Sequence, residues 1–300
     1  MALEGIIQAI TEQEWIDTPA NKLQQFVHNV YDSLEPNASI AIRNFLHGKW
    51  LGHPLHPAIT DMPIGAWTSA LILDALDTSD ERKGVGSAAD TLIAVGLVSA
   101  AGAAVAGATD WYKLRGTSTR RIGATHALMN STASILYGTS IALRAGGMRG
   151  PGKVLGLLGY TAAFAGAWLG GHLSYRETVG MDHTSHLQPP EDFSAVLPDA
   201  DLPEGELRRV EVDDVDILLY REGSRIYAMI ETCAHFGGPL SEGHVHDGTV
   251  ACPWHGSRFE LSTGSVVEGP TVYPQPYFET RVRDGQIEVR LQQAEQQQSG

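Results

Sequence analysis

Cysteine is almost absent from this chain of 300 residues, which contains only Cys233 and Cys252. Two cysteines are too few for a disulfide framework, and their scarcity is consistent with a reducing compartment. The N-terminal stretch from Met1 to Trp15 contains acids and has no long apolar run. We therefore do not expect a secretory signal peptide there.

Lysine is missing from the C-terminal third of the chain. From Glu191 onward there are 20 acids, 8 arginines and no lysine, a balance of −12 out of a total formal net charge of −14. The excess indicates a solvated acidic surface. It also suits a docking face for a basic partner, because opposite charges steer encounter. The same charge disfavours nucleic acid as a partner.

Charge of either sign is missing from three long segments of the first half, at 91–109, 124–143 and 154–174. A fourth segment, 59–76, is apolar apart from two aspartates near its ends. At about 20 residues, each is long enough to cross a bilayer as a helix. Small residues four apart, such as Gly and Ala, favour close helix packing in lipid. A soluble, alanine-rich bundle is the alternative, but the pattern favours a four-helix transmembrane bundle.

The short connections between these segments predict antiparallel neighbours, and an even number of spans places both termini on one face. That face carries seven basic residues and the opposite face carries five. The seven are Arg43, Lys49, Lys113, Arg115, Arg120, Arg121 and Arg176; the five are Arg82, Lys83, Arg144, Arg149 and Lys153. The positive-inside rule then predicts a multi-pass protein of the inner membrane with both termini in the cytoplasm.

Both cysteines belong to short Cys–His pairs, Cys233-x-His235 and Cys252-x-x-His255. Zinc would take all four ligands at one tetrahedral centre. A [2Fe–2S] cluster of mixed ligation would divide them, with two cysteines on one iron and two histidines on the other. A glycine follows closely after each histidine, which suits backbone amides packed against inorganic sulfide and is not needed by a zinc finger.

The two loops read CAHFGGPL from 233 and CPWHGS from 252, followed by Thr-Gly at 263 and Gly-Pro at 269. With these motifs, residues 203–291 resemble a Rieske domain of the soluble ferredoxin kind. The resemblance implies an all-β fold whose [2Fe–2S] cluster is held by the four Cys and His side chains. It places the cysteines on a buried ferric iron and the histidines on an outer, reducible iron near the surface. It also implies that Gly237, Gly256 and Ser257 lie beside the cluster and tune it.

Departures from the family pattern predict the potential of the cluster. Rieske proteins of quinol-oxidising complexes join the two loops by a disulfide at the positions of Gly238 and Trp254, so this chain has no such link. Phe259 stands where high-potential members have a tyrosine hydroxyl. Fewer hydrogen bonds to sulfur lower the potential, so we expect a low-to-middle value within the Rieske range of about −150 to +300 mV.

A second motif, Gly-His-Pro-Leu-His-Pro at 52–57, precedes the first apolar segment. Followed by four such segments, it resembles a widespread family of small bacterial membrane domains without a settled function. The resemblance covers roughly residues 48–176 and supports the architecture alone.

Four histidines are predicted at one face of the membrane, which is also the face of the Rieske domain: His53, His56, His126 and His172. Asp61 lies just inside the first segment, and ionisable residues at membrane depth usually mark a site. One option is a b-type haem with His126 and His172 as axial ligands, or His56 as a substitute. Arg120, Arg121 and Arg176 would then pair with the propionates. Other options are a quinone pocket, a non-haem metal, or histidines that merely bind loops and lipid headgroups.

The expected organisation is a cytoplasmic helical lead-in at 1–50, a four-span membrane domain at 51–176, a linker at 177–202, a Rieske domain at 203–291 and a disordered tail at 292–300. The expected function is electron transfer between a membrane-domain site and a soluble redox partner, with no catalytic residue assigned. A redox sensor and an anchored electron donor of an oxygenase system are the alternatives.

Overall fold

The computed structural model describes residues 2–77 and 84–292. The chain forms two compact units: Met1–Ile42, Leu46–Gly48 and Pro54–Val179 make the first, and Arg43–Phe45, Lys49–His53 and Gly180–Gly300 make the second. Arg82 and Lys83, which entered the charge count, lie outside the described residues, as does the expected tail from residue 293 onward.

The first unit is helical, with seven α-helices in its described residues. They are α1 (Ala2–Thr11), α2 (Asp17–Asp32), α3 (Pro36–His47), α4 (Leu55–Leu76), α5 (Val85–Trp111), α6 (Thr117–Ala145) and α7 (Arg149–Tyr175). Proline begins α3, where its missing N–H has no helical partner to lose. The glycines after α6, at 146 and 147, end that helix because they tolerate the non-helical backbone.

Two of these helices, α5 and α7, are long and apolar enough to cross a membrane, with mean hydropathies of 1.9 and 1.4 in their most apolar stretches. Among the described residues, α4 and α6 do not reach the same level, because they contain more polar and charged side chains. The number of spans therefore stays a prediction.

The four long helices form two hairpins, in which α4 packs along α5 and α6 along α7. Glycines on the second helix of each hairpin make room for an aromatic ring on the first. A Cβ atom on Gly96 would lie 2.2 Å from Trp67 Nε1, and one on Gly159 would lie 3.1 Å from Tyr137 Cδ2. Small residues thus occupy the interior and bring the helices close together.

The hairpins are an internal repeat that the sequence analysis missed. His56, Trp67 and Asp74 of α4 correspond to His126, Tyr137 and Arg144 of α6, each 70 residues later. Each pair makes contact: the histidine rings lie 6.0 Å apart, the Trp and Tyr rings stack at 4.4 Å, and the Asp and Arg form an ion pair. Because the three contacts follow in the same order along both helices, α4 and α6 run parallel and the hairpins are related by an approximate two-fold axis.

A charged cluster closes one end of the hairpins. Arg144 of α6, with 1% of its side chain exposed, donates to the carboxylates of Asp74 and Asp90. Arg149 and Lys153 of α7 complete the cluster through further carboxylate contacts. Burial of an arginine is tolerable here because several acceptors satisfy it.

The described residues of the second unit form ten β-strands. They are β1 (Ser194–Pro198), β2 (Leu207–Val212), β3 (Val215–Glu222), β4 (Arg225–Ile230), β5 (His244–His246), β6 (Thr249–Ala251), β7 (Arg258–Glu260), β8 (Val266–Glu268), β9 (Tyr277–Arg283) and β10 (Gln286–Leu291). One antiparallel sheet has the order β1-β10-β9-β4-β3-β2, and the other has the order β5-β6-β7-β8.

The large sheet begins earlier in the chain than expected. Strand β1 falls in the segment 177–202, which we expected to be a linker, and it pairs with β10 from Ser194 to Pro198. Leu187, also from that segment, packs against the core of the large sheet. The sheet core consists of aliphatic side chains, among them Ile217, Leu219 and Ile287, which are fully buried.

Candidate metal centre

The two Cys–His pairs lie on two loops of the same construction. The first follows β4 and the second joins β6 to β7. In each loop the cysteine accepts at its carbonyl oxygen from the glycine four residues later, Gly237 or Gly256. Both glycines have positive φ, 74° and 75°, a conformation that other residues adopt at a cost. Backbone conformation therefore explains these glycines better than the close approach of sulfide that the sequence analysis invoked.

Close approach applies instead to Gly238, the position of the missing disulfide. A Cβ atom there would lie 2.8 Å from Cys252 Sγ and 3.1 Å from the ring of Trp254. Gly238 therefore keeps the first loop against the thiol of the second. Both cysteines are free thiols, so the two loops meet here by packing and not through a disulfide.

The two thiols form one half of the centre. Cys233 and Cys252 are 1% and 4% exposed and lie within hydrogen-bond distance of each other. The hydrogen bond from Cys233, together with the backbone N–H groups of Trp254 and His255, lowers the pKa of the Cys252 thiol to about 7. Backbone N–H groups of His235 and Phe236 also point at Cys233 Sγ. Such amides stabilise negative charge on sulfur.

The two imidazoles form the other half. His235 Nδ1 lies 3.2 Å from His255 Nδ1, and the rings are nearly perpendicular at 81°. The rings are 9% and 7% exposed, slightly more than the thiols. Like groups therefore pair with like, thiol with thiol and imidazole with imidazole.

This arrangement fits a two-iron cluster better than one zinc ion. Each iron of a Rieske cluster takes one like pair, whereas zinc would draw four side chains to a single point. In the part of the chain that the structure describes, no three His, Cys, Asp or Glu side chains are placed to hold one metal ion. The ligand roles of the four side chains remain a prediction.

Ser257 and Phe259 lie at the two positions from which the sequence analysis predicts the potential. Ser257 is fully buried, and its Oγ accepts the Thr271 N–H at 3.3 Å, which leaves the hydroxyl hydrogen available to a cluster sulfur. Phe259 is fully buried in the same apolar core as both cysteines and offers no hydroxyl.

Gln275, on the third loop between β8 and β9, is a site residue that the sequence analysis missed. Its side chain is buried and makes three hydrogen bonds to backbone groups at the start of the first loop. Nε2 donates to the carbonyl oxygens of Ile230 and Thr232, both at 2.7 Å, and Oε1 accepts the Ala234 N–H at 3.0 Å. Gln275 thus fixes the backbone on both sides of Cys233. Because its partners are backbone groups, no sequence motif could have revealed Gln275.

A buried acid also lies near the first loop. Glu231 is 3% exposed, and its carboxylate accepts the N–H and the Oγ–H of Ser241. Burial raises the pKa of this carboxyl group, although the Ser241 hydrogen bonds act in the opposite direction.

The predicted membrane histidines are brought together only in part. His56 and His126 face each other within the helical unit. His172 lies near Trp168 and 3.7 Å from Glu177. Asp61 is exposed on α4, and His53 belongs to the second unit.

The arginines expected on haem propionates have other partners. Arg120 and Arg121 both bind the carboxylate of Asp17 on α2, and Arg121 also donates to the Thr11 carbonyl. The hydrogen bond from Arg121 is the main reason that the pKa of Asp17 falls to about 2.

The site and the fold agree with two known families. Residues 192–279 match the Rieske [2Fe-2S] domain, and residues 52–183 match a family described as Predicted membrane protein (DUF2231). Together they cover most of the chain and confirm the fusion that the two sequence motifs predict.

Three relatives illustrate the similarity. The ferredoxin CarAc of Metapseudomonas resinovorans is 35% identical over 91 residues, which are 30% of this chain and 85% of that protein. The 3-phenylpropionate/cinnamic acid dioxygenase ferredoxin subunit of Shigella flexneri serotype 5b is 36% identical over 99 residues, 33% of this chain and 92% of that subunit. Apoptosis-inducing factor 3 of Homo sapiens is 32% identical over 134 residues, 44% of this chain, and the chain spans only 22% of that relative's length.

These matches define a Rieske iron–sulfur protein with an electron-transfer role and a [2Fe–2S] cluster. The chain belongs to the Rieske [2Fe–2S] family, and its Rieske domain is joined to a DUF2231 domain of the predicted membrane type.

Proposed function

We propose that this protein is a membrane-anchored Rieske protein that passes single electrons between a site in its helical unit and a soluble redox partner. Cys233 and Cys252 hold one iron, and His235 and His255 hold the other. The cluster, when bound, supplies one-electron oxidation and reduction. The observation that carries the proposal is the like-with-like pairing of two thiols and two imidazoles on loops of the same construction.

The protein's own groups prepare this centre in three ways. Backbone N–H groups on the thiol sulfurs favour bound thiolates, and they lower the cost of placing negative charge in a buried site. Ser257 can donate to a sulfur, and hydrogen bonds to sulfur raise the potential. The slightly greater exposure of the imidazoles makes them the nearer route for an electron from a docked partner.

The surface of the helical unit supports a membrane location. Large apolar side chains lie on the outside of the four long helices, including Val98, Ile135 and Phe164, which are 77%, 69% and 68% exposed. A soluble helix directs such residues inward. We propose that α4–α7 span the inner membrane and that the N-terminus and the Rieske unit are cytoplasmic.

The proposed organisation keeps the lead-in at 1–50 and the membrane domain at 51–176. Strand β1 indicates that the Rieske unit extends to the N-terminal side of residue 203. The acidic C-terminal part, with no lysine among its basic residues, suits a soluble partner that has a basic docking face.

The test is electron exchange by the full chain purified in detergent. We expect a Rieske EPR signal after reduction, and reoxidation by a basic soluble acceptor at a rate that falls as salt rises. A cluster that titrates but exchanges electrons with no soluble donor or acceptor would instead indicate a redox sensor. For orientation, we expect protease added to inside-out vesicles to digest the Rieske unit; protection there would contradict the assignment.

A second candidate function is an anchored electron donor of an oxygenase system. It is favoured by relatives such as the dioxygenase ferredoxin subunit, of which this chain covers 92%. Reduced protein mixed with an isolated terminal oxygenase should then support substrate oxidation in single turnovers. Reoxidation by other acceptors but not by an oxygenase would favour the first function.

A further inference from the structure

Two histidines of the helical unit face each other across the boundary between the hairpins. His56 begins α4 and His126 lies in α6, at equivalent positions of the repeat. Their ring centres are 6.0 Å apart, and the ring planes are nearly perpendicular at 84°. Each hairpin therefore contributes one imidazole to the same place.

The hydrogen bonds of these rings determine which nitrogen is protonated. His56 Nδ1 lies 2.8 Å from the Ala103 carbonyl oxygen of α5, and His126 Nδ1 lies 2.8 Å from the Gly166 carbonyl oxygen of α7. A carbonyl oxygen only accepts, so both Nδ1 atoms carry hydrogen. In the neutral ring, Nε2 then has a free lone pair. Histidines that bind metals typically donate their other ring N–H in this way.

The lone pairs have almost no protein partners. His56 Nε2 makes no hydrogen bond in the part of the chain that the structure describes. His126 Nε2 has only the Asn130 amide, at a long 3.4 Å, and that amide already donates to the His126 carbonyl at 2.9 Å. Both rings are partly buried, and their Nε2 lone pairs are therefore available to a ligand.

Glycines at equivalent positions of α5 and α7 make room for the rings. A Cβ atom on Gly107 would lie 2.7 Å from His56 Nδ1, and one on Gly170 would lie 3.1 Å from His126 Cε1. The two glycines are 63 residues apart, as are the two carbonyl acceptors, Ala103 and Gly166. The whole arrangement of ring, acceptor and glycine thus occurs twice.

We propose that His56 and His126 bind one transition-metal centre between the hairpins, either the iron of a haem or a divalent ion. Two imidazoles that bind one metal through bonds of about 2 Å, with about 1 Å from each nitrogen to its ring centre, have ring centres at most about 6 Å apart. The observed separation is 6.0 Å, whereas a quinone ring placed between the imidazoles would need more room. The pair of His56 and His126 is therefore preferred to the pair of His126 and His172, because His172 has Glu177 as a neighbour.

The role of this centre as the second electron site rests on the proposed function, but its existence does not. The experiment uses the full chain in detergent and measures total metal, the visible spectrum and the Rieske EPR signal together. The variants are His56→Gln and His126→Gln, whose amides can still donate to the backbone carbonyls and preserve packing. His28→Gln, at an exposed position of α2, is the matched control, and His172→Gln tests the other pairing.

We expect metal beyond the two cluster irons. His56→Gln and His126→Gln should each reduce this extra metal at least about tenfold and leave the Rieske signal unchanged. His28→Gln should change neither the extra metal nor the Rieske signal. A Soret band identifies haem iron. Without that band, titration of metal-depleted protein with Zn²⁺ and separately with hemin identifies which of the two binds. The inference is overturned if there is no extra metal and neither titration shows binding. It is also overturned if His172→Gln is the one variant that loses the extra metal. A present Rieske signal then still supports the electron-transfer proposal, so the two failures are distinguishable.

Discussion

The β-sheet unit and the helical unit bury opposite kinds of side chain. In the β unit, aliphatic residues such as Ile217 and Ile287 form the core, and Glu231 is an exception among charged residues that mostly lie outside. In the helical unit, glycine, alanine and even Arg144 are inside, while Val98 and Phe164 are exposed. The same physical rule, burial of apolar area away from water, explains both if the helical unit is surrounded by lipid rather than water.

The units also place their candidate sites differently. The predicted cluster ligands lie on loops that leave the sheets, where glycine and backbone N–H groups shape the surroundings. The histidine pair lies on helices, and its surroundings are the backbone carbonyls and glycines of neighbouring helices. Loss of a ligand should therefore affect the two units independently, and that independence can be tested.

The largest effect is expected from His255→Ala in the β unit. Because one iron would keep a single protein ligand, we expect complete loss of the Rieske EPR signal and of the visible cluster absorption. The helical unit should remain inserted, as judged by protease protection. His246→Ala, at an exposed histidine of the same unit, is the control and should keep the cluster. A full signal in His255→Ala would contradict the ligand assignment.

The next largest effect is expected from Arg144→Met in the helical unit. Removal of the buried arginine leaves Asp74 and Asp90 without their shared partner, which should destabilise the helices by about 3–5 kcal/mol. Thermal unfolding followed by circular dichroism in detergent measures the change. The exposed pair of Arg209 and Asp216 offers a control, since Arg209→Ala should cost far less because solvent screens this ion pair. Equal losses in both variants would argue against a buried charge cluster.

A smaller effect is expected from Gln275→Leu. The change leaves two carbonyl oxygens and one N–H of the first loop without partners, and each such group costs about 1–3 kcal/mol when buried. We expect the cluster absorption to be lost at a lower denaturant concentration, while the helical signal is unaffected. Gln275→Glu keeps the acceptor but loses the two donated bonds. Its cluster absorption should be lost at a denaturant concentration between those of the unchanged protein and Gln275→Leu, or at a lower one. Gln286→Leu, on β10, serves as the control.

The smallest effect is expected from Ser257→Ala. Loss of a hydroxyl donor to a cluster sulfur should lower the reduction potential by about 40 mV, because a hydrogen bond contributes about 1 kcal/mol and 59 mV is a tenfold change for one electron. A redox titration followed by EPR gives the value. The starting potential should be low to middle in the Rieske range. A value near the top of that range would refute the interpretation of Phe259 and of the missing disulfide.

The four candidate ligands could be singled out from the sequence because their chemistry leaves few choices. Only two cysteines exist, and each has a histidine and a glycine at short spacing, so the sequence shows both the candidate ligands and the turns. Gln275 could not be found in this way, because a side chain that binds backbone groups requires no motif. Strand β1 was missed because prolines flank the segment and favour a linker, whereas its pairing with β10 depends on the distant end of the chain.

The positions of the long helices along the chain were predicted, but the way they pack against one another was not. Segment 124–143 lies inside α6, which extends from Thr117 to Ala145, since apolar runs mark the middle of a helix and not its ends. The repeat escaped notice because equivalent positions hold different residues, Trp67 with Tyr137 and Asp74 with Arg144. Contacts reveal the equivalence, and a single sequence lacks them.

The unlike pair of Asp74 and Arg144 restricts which hairpins can assemble. Two copies of the first hairpin would bring two aspartates together at this depth, and two copies of the second would bring two arginines together. Like charges in a buried position repel strongly, so either self-pairing is disfavoured. The opposite signs at equivalent positions therefore favour the pairing of a first hairpin with a second hairpin over the pairing of two like hairpins.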